Sequence, residues 1–328
     1  MQIFLTFDYE LFFGDEPGSV RKCMINPTNR LLKIAKDTDC KYTFFVDAGY
    51  LLKLESYKLT FPNLSKDLNL IKEQIHDIIE QGHDIQLHIH PHWEKSFYDR
   101  NGWHMNTQNF YKLHDFSDLE IDDIVTRYKS YLEELIHRNI HTFRAGGWCI
   151  QPFDRLMDTF KKNGIRYDTS VIFNAKMTSG SYSFDYTKAP DKDMYSFEND
   201  VLIDKKDSFF TEIPISSRKY SPFFYWKLYL LGRLNPSAHK MVGDGVFMSQ
   251  PGRKKQVLLN SVWNHVSCDG YYASVLNKSK DELLSRGFKT MVVIGHPKGM
   301  TEFSFKKLKS FIHSPSNKNS FINFDSLK

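Results

Sequence analysis

Apolar positions along this chain alternate between the strand period of two and the helix period of 3.6. Residues 2–8 are a short apolar strand that runs into Asp8-Tyr9-Glu10. Residues 27–36 set Leu31, Leu32, Ile34 and Ala35 on one helical face. Residues 41–47 are almost wholly apolar, as strands covered on both faces are. A helix over 68–81 carries Leu70, Ile71, Ile75, Ile78 and Ile79 on one side and stops at Gly82. Gln86-Leu87-His88-Ile89-His90 then alternates as a strand, and Pro91, which has no N–H for a ladder, ends it. Past it, Ser117 opens a long helix over 118–138 with Ile121, Ile124, Tyr128, Leu132 and Leu135 inward. Strands follow at 142–144, 165–170, 209–213 and 289–294, with helices over 152–163, up to 286 and over 301–312. The tail after Ser314 is rich in Ser and Asn and reads as loose.

Strands that alternate with helices predict parallel βαβ units. The expected fold is α/β, a distorted TIM-like barrel of the (β/α)7 type, with residues 1–328 as a single domain. Residues 188–207 read as a loop or small hairpin. Residues 218–277 are longer than one strand connection requires and read as an insertion before the last strand. That insertion contains Phe223-Phe224-Tyr225-Trp226-Lys227-Leu228-Tyr229-Leu230-Leu231, too short to span a bilayer. It is expected to act as a lid, as an interface, or as a membrane contact with Lys227 and Arg233 at the headgroups.

Polar clusters mark the C-terminal ends of these strands, where barrels of this kind place their chemistry. They are Asp8/Glu10, His88/His90/His92, Arg144/Trp148, Asp168, Glu212 and His296. Three imidazoles where a strand ends form a metal-site pattern, because neutral imidazole is the commonest ligand for zinc-like ions. Alternation puts His88 and His90 on one face, whereas His92 lies beyond the proline on the next loop.

Composition trims the alternatives. The hydrophobic share of 41% suits a folded protein, and the aromatic share of 15% predicts a core rich in Phe and Tyr. A net charge of +5 with dispersed Lys and Arg makes no case for nucleic acid and gives slight support for an anionic partner. The four cysteines, widely spaced and without a C-x-x-C pair, read as free thiols in a reducing compartment. With neither a basic, cleavable leader nor an apolar run of about 20 residues, the expected location is the cytoplasm.

Together these stretches resemble the polysaccharide deacetylases of carbohydrate esterase family four, the NodB-homology fold, in a distant branch. Thr6-Phe7-Asp8-Tyr9-Glu10 stands where that family has T-F-D-D. Gly82-His83-Asp84-Ile85 precedes His88 and His92 at the family's H-x-x-x-H spacing. Arg144-Ala145-Gly146-Gly147-Trp148 keeps the Arg of the Arg-x-Pro motif and loses its Pro. Ile294-Gly295-His296 matches L-x-H. The resemblance implies one divalent metal ion, zinc by preference, with Asp8 as base, His296 as acid and Arg144 orienting Asp8.

Tyr9 occupies the family's metal-binding Asp position. Glu10 is the expected substitute, with Asp8 as metal ligand and Glu10 as base the other assignment. His88 with His92 is preferred on spacing, and His88 with His90 on strand geometry. Trp93, Trp148 and Trp263 are candidate sugar-stacking residues, and Asp168 and Glu212 candidates for steadying His296 or Arg144 or for contacting substrate. The implied activity is N-deacetylation of an amino sugar in surface-polysaccharide or lipopolysaccharide assembly, on an N-acetylated sugar or lipid-linked glycan. Competing readings are an amidohydrolase on a small non-sugar amide, and an inactive glycan-binding protein.

Overall fold

A computed structural model describes residues 1–180, 182–248 and 250–327. Parallel strands form its centre: β1 (Gln2–Tyr9), β2 (Thr43–Asp47), β3 (Asp84–Ile89), β4 (Thr142–Ala145) and β5 (Tyr167–Asp168). The antiparallel edge strand β6 (Tyr195–Phe197), inside the stretch read as a loop or hairpin, precedes β7 (Phe210–Glu212). The last core strand is β8 (Thr290–Gly295). Their spatial order is β6-β7-β5-β4-β3-β2-β1-β8. The chain leaving β7 then crosses to β8, where the Ser216 amide donates to the Val292 carbonyl at 3.0 Å and the Val292 amide donates to Ser216 Oγ at 2.9 Å. The sheet thus curls almost shut, as the alternating pattern predicts.

Helices cover its outside. They are α1 (Asn26–Ala35), α2 (Ala48–Tyr57), α3 (Pro62–Glu80), α4 (Asp118–Ile136) and α5 (Asp154–Lys162). Local chemistry sets several of their ends. Ser117 accepts from the Glu120 amide and Glu120 reaches back, a capping box that starts α4. Gly82 takes φ 76° just after α3, a conformation that favours glycine. Helix α2, missing from the pattern-based reading, begins directly at the end of β2 and buries Tyr50, Leu51 and Leu54.

The stretch within 218–277 has its own framework. Strands Ser217–Tyr220 and Val262–His265 pair antiparallel and bracket α6 (Pro222–Leu234) and α7 (Arg253–Leu259). Tyr220, Tyr225, Val257 and Val262 form a small core of their own there. Helix α6 has two faces. Tyr225, Leu228, Tyr229 and Gly232 line a cleft over the barrel mouth. Phe223, Trp226, Leu230 and Leu234, spaced three or four apart, are 48–79% exposed. Two further helices, α8 (Leu276–Ser285) and α9 (Glu302–Ile312), flank β8 in the chain.

The tail corrects the sequence reading. Strand β9 (Phe321–Ile322) pairs parallel with β1, and Phe324, fully buried, packs 4.5 Å from the Phe4 ring and 5.6 Å from Phe45. Three apolar residues suffice to dock this polar segment.

Candidate active site

The C-terminal ends of the strands converge on one floor of the cleft. Alternation along β1 turns Asp8 and Glu10 to that floor and Tyr9 away from it, where its hydroxyl donates to Gln74 Oε1 at 2.7 Å in the core. Tyr9 therefore contributes nothing to the site, and Glu10 takes the space beside the histidines.

Glu10 Oε2 lies 3.1 Å from His88 Nε2 and 2.7 Å from His90 Nε2. Ligand atoms of Glu10, His88 and His90 all fall within 4.8 Å of one another, and all three residues are buried. His88 Nδ1 donates to the Arg144 carbonyl at 2.8 Å, its partner in the parallel register of β3 and β4. That bond fixes the tautomer and leaves the Nε2 lone pair facing the cluster, as metal-ligating histidines require. Among the described residues His90 Nδ1 has no hydrogen-bond partner, and the ring sits where a Cβ on Gly146 would meet it at 2.6 Å. The two imidazoles and one carboxylate are the donor set of many catalytic zinc sites, so these residues fit a divalent ion.

His92 is placed elsewhere, which reverses the preference drawn from spacing. It follows Pro91 in the 3-10 turn Pro91–Lys95, fully buried, with Phe13 4.7 Å and Trp93 5.1 Å away. Among the described residues neither of its ring nitrogens has a hydrogen-bond partner.

Asp8 stands on the other side of His88, its Oδ2 3.9 Å from His88 Nε2 and 3.6 Å from His296 Nε2. Arg144, wholly buried, donates from Nη1 to Asp8 Oδ1 at 2.7 Å, and its guanidinium lies 4.0 Å above the Phe45 ring. Burial pushes the Asp8 carboxyl up, but Arg144, His88 and His296 outweigh it and hold it below its ordinary value. Glu10 is held well below its ordinary value against burial by Lys298 and the two histidines. Burial, aided by the nearby His88 and Lys298 charges, pulls His90 down to about 4, so it is neutral and free to act as a ligand.

His296 faces Asp8 across the floor. Its Nδ1 lies 2.7 Å from Asp269 Oδ2, and its backbone N–H donates to Asp269 Oδ1 at 2.8 Å. Burial pulls this imidazole down, but Asp269, Asp8 and Glu10 outweigh it and raise it above the ordinary value. Its cationic form is thus favoured over that of an ordinary imidazole, with Nε2 3.6 Å from Asp8 Oδ2.

Four residues of the site escaped the sequence reading. Asp269 lies on the irregular segment that pairs with β8, where no motif marks it. Lys298, 2% exposed, donates to Glu10 Oε1 at 2.8 Å and also to the Leu11 carbonyl. His265 lines the cleft with its ring 5.1 Å from Trp148. Asp47 sits behind the cluster, its Oδ2 accepting from Trp93 Nε1 at 2.6 Å, and burial raises it to about 7.

The remaining candidates divide. Trp148 lines the cleft. Trp93 is fully buried, which corrects its expected role of sugar stacking, and Trp263 packs on Phe173 at 5.5 Å. Asp168 and Glu212 are buried beneath Arg144 and away from the cleft lining, so neither reaches a substrate. Burial and then the Asp168 charge raise Glu212 well above its ordinary value, and burial raises Asp168.

No known family profile matches the chain, and no curated protein does. Solved structures do. One described as a polysaccharide deacetylase from Mycobacterium smegmatis matches at TM-score 0.52 and 15% identity, over 99% of this chain and 87% of that one. An allantoinase matches at TM-score 0.51 and 12% identity over the same shares. At such identities the likeness shows the fold, and that fold is the one the motifs implied.

Proposed function

We propose that this protein is a metal-dependent N-deacetylase of an amino sugar. The observation that carries the reading is the grouping of Glu10, His88 and His90 beside two pre-set proton-transfer groups, Asp8 with Arg144 and His296 with Asp269. A divalent ion held by those three residues, zinc by preference from the donor set, supplies charge that acidifies water and polarises a carbonyl. Arg144 fixes the Asp8 carboxylate, whose Oδ2 takes the proton of an attacking water. Asp269 fixes His296, whose Nε2 gives a proton to the leaving amine. Lys298 keeps Glu10 ionised and fixed in orientation.

The cleft supports a sugar rather than a small amide. At about 1260 Å³ it exceeds what a small cyclic amide fills, and Tyr111, Trp148, Tyr182 and Tyr229 offer rings along it. An inactive glycan-binding protein has no use for two oriented acid–base pairs. The exposed stripe of α6 supports contact with a membrane interface, with Lys227 beside Phe223 at its flank. No helix among the described residues is long and apolar enough to cross a membrane. We place the reaction in surface-polysaccharide or lipopolysaccharide assembly on the cytoplasmic face, with a lipid-linked glycan as substrate.

The test is acetate release from a panel of N-acetylated sugars by zinc-loaded protein. Release that disappears in Asp8→Asn is the expected result. No acetate from any N-acetylated sugar, with one metal ion bound per chain, refutes the activity.

A further inference from the structure

The cleft has two chemically distinct ends. Its carboxylates, Asp8, Glu10 and Asp269, all stand on the barrel floor. Its far wall, built by α6 and α7, presents Arg233, Arg253 and Lys254 and no carboxylate. Among the described residues none of these three cations pairs with an acid. Arg253 donates only to Gln256 Oε1, one helical turn on at 2.9 Å, and Lys254 lies 5.1 Å above the Tyr229 ring. Elsewhere basic side chains commonly have acidic partners, as Arg127, Arg155, Arg218 and Arg286 do. Arg253 is half-buried, and its charge is felt at His265 and Tyr272 on one wall and at Tyr182 on the opposite hairpin. It therefore looks into the cleft, not out to solvent.

Three like charges on a wall without counter-charge repel one another, and a cleft lined by one sign draws in the opposite sign. The guanidinium fork suits phosphate oxygens, and a second and third cation suit a group of more than one negative charge. We propose that this wall is a phosphate site, and that the substrate is an acylamino sugar carrying a phosphate or diphosphate ester. The amide then lies on the barrel floor while the ester lies against Arg253. This rests on the deacetylase reading for the amide end alone. Nucleotide-linked and prenyl-linked sugars share this chemistry.

The test is calorimetric titration of zinc-loaded protein with inorganic pyrophosphate. The chains compared are wild type, Arg253→Lys and the triple variant Arg233→Ala, Arg253→Ala, Lys254→Ala. We expect wild type to bind, Arg253→Lys to weaken a few-fold, and the triple variant to lose at least about tenfold, since it removes every charge-assisted bond from this wall to the anion. All three substitutions are at half-buried or exposed positions, and an unchanged melting temperature certifies the fold. Pyrophosphate that binds wild type and triple variant equally sits on the metal and overturns the proposal, as does a failure to bind wild type. Displacement of pyrophosphate by a uridine diphosphate N-acetylhexosamine or by a short-chain prenyl diphosphate N-acetylhexosamine supports it and names the source. Displacement by neither overturns it. Acetate release from neutral N-acetylhexosamine oligomers, measured in parallel, separates the two claims. Acetate without a cation-dependent pyrophosphate site removes only the phosphate proposal, and the converse removes only the deacetylase.

Discussion

The two ends of the cleft are built on opposite plans. On the barrel floor every charged side chain is matched: Asp8 to Arg144, Glu10 to Lys298, His296 to Asp269. These groups are largely buried and hang from parallel strands whose register sets their spacing, as His88 opposite Arg144 does. On the insertion wall the charges are unmatched, the side chains are rings and long cations, and the scaffold is a hairpin with two helices. Matched charge in a dry place gives fixed geometry, which proton transfer demands. Unmatched charge on an accessible wall stores its interaction for a ligand. The difference assigns chemistry to the barrel and recognition to the insertion.

The largest expected effects lie on the floor. Asp8→Asn should lower kcat by about 10⁴-fold, the upper end for a general base, with metal retained. His296→Ala should cost about 10²–10³-fold, again with metal retained. The wild-type pH profile follows from the same pair. His296 must carry its proton, so activity falls as pH rises through a value above that of an ordinary imidazole. Asp8 must be ionised, so activity falls in acid only below the ordinary carboxylate range. Asp269→Asn removes the largest influence raising His296 and should move the alkaline limb to lower pH. An unmoved limb contradicts the assignment of His296 as acid.

Next in size is a stability effect. Lys298→Met leaves the buried Glu10 carboxylate without its nearest cation, and metal-free protein should lose about 3–5 kcal/mol in urea titration. A variant as stable as wild type would show that the histidines alone neutralise Glu10. The smallest effect is expected outside the cleft. Phe223→Ser, Trp226→Ser and Leu230→Ser should each change stability by no more than about 0.5 kcal/mol, because these side chains are 48–67% exposed. Together they should abolish flotation with anionic vesicles. Wild-type protein that stays at the bottom of the gradient rules out the membrane contact and leaves the segment as a lid or an interface.

The contrast also explains what could be read from residues alone. Strand alternation made the floor legible, since period two sends Asp8 and Glu10, and His88 and His90, to one side. The family spacing pointed to His92, but Pro91 starts a turn that carries His92 into the core beside Trp93. Alternation is a property of the strand itself, whereas a motif's spacing holds only while the loop keeps its shape. Asp269 and Lys298 were not legible, because they sit on a bridge segment and a turn where nothing periodic constrains a side chain. The near-continuous apolar run of α6 marks no single face, and only the packed structure divides it into a cleft face and an outer stripe. The tail misled for a simpler reason. Its polar composition hid Phe321, Ile322 and Phe324, which dock it against β1.

The central claim is that Glu10, His88 and His90 hold a divalent ion. Elemental analysis of purified wild type, His88→Ala, His90→Ala and His92→Ala tests it most directly. The account predicts one ion per chain in wild type and in His92→Ala, and a loss of most of it in His88→Ala and His90→Ala. Full occupancy in His90→Ala together with loss in His92→Ala would contradict it.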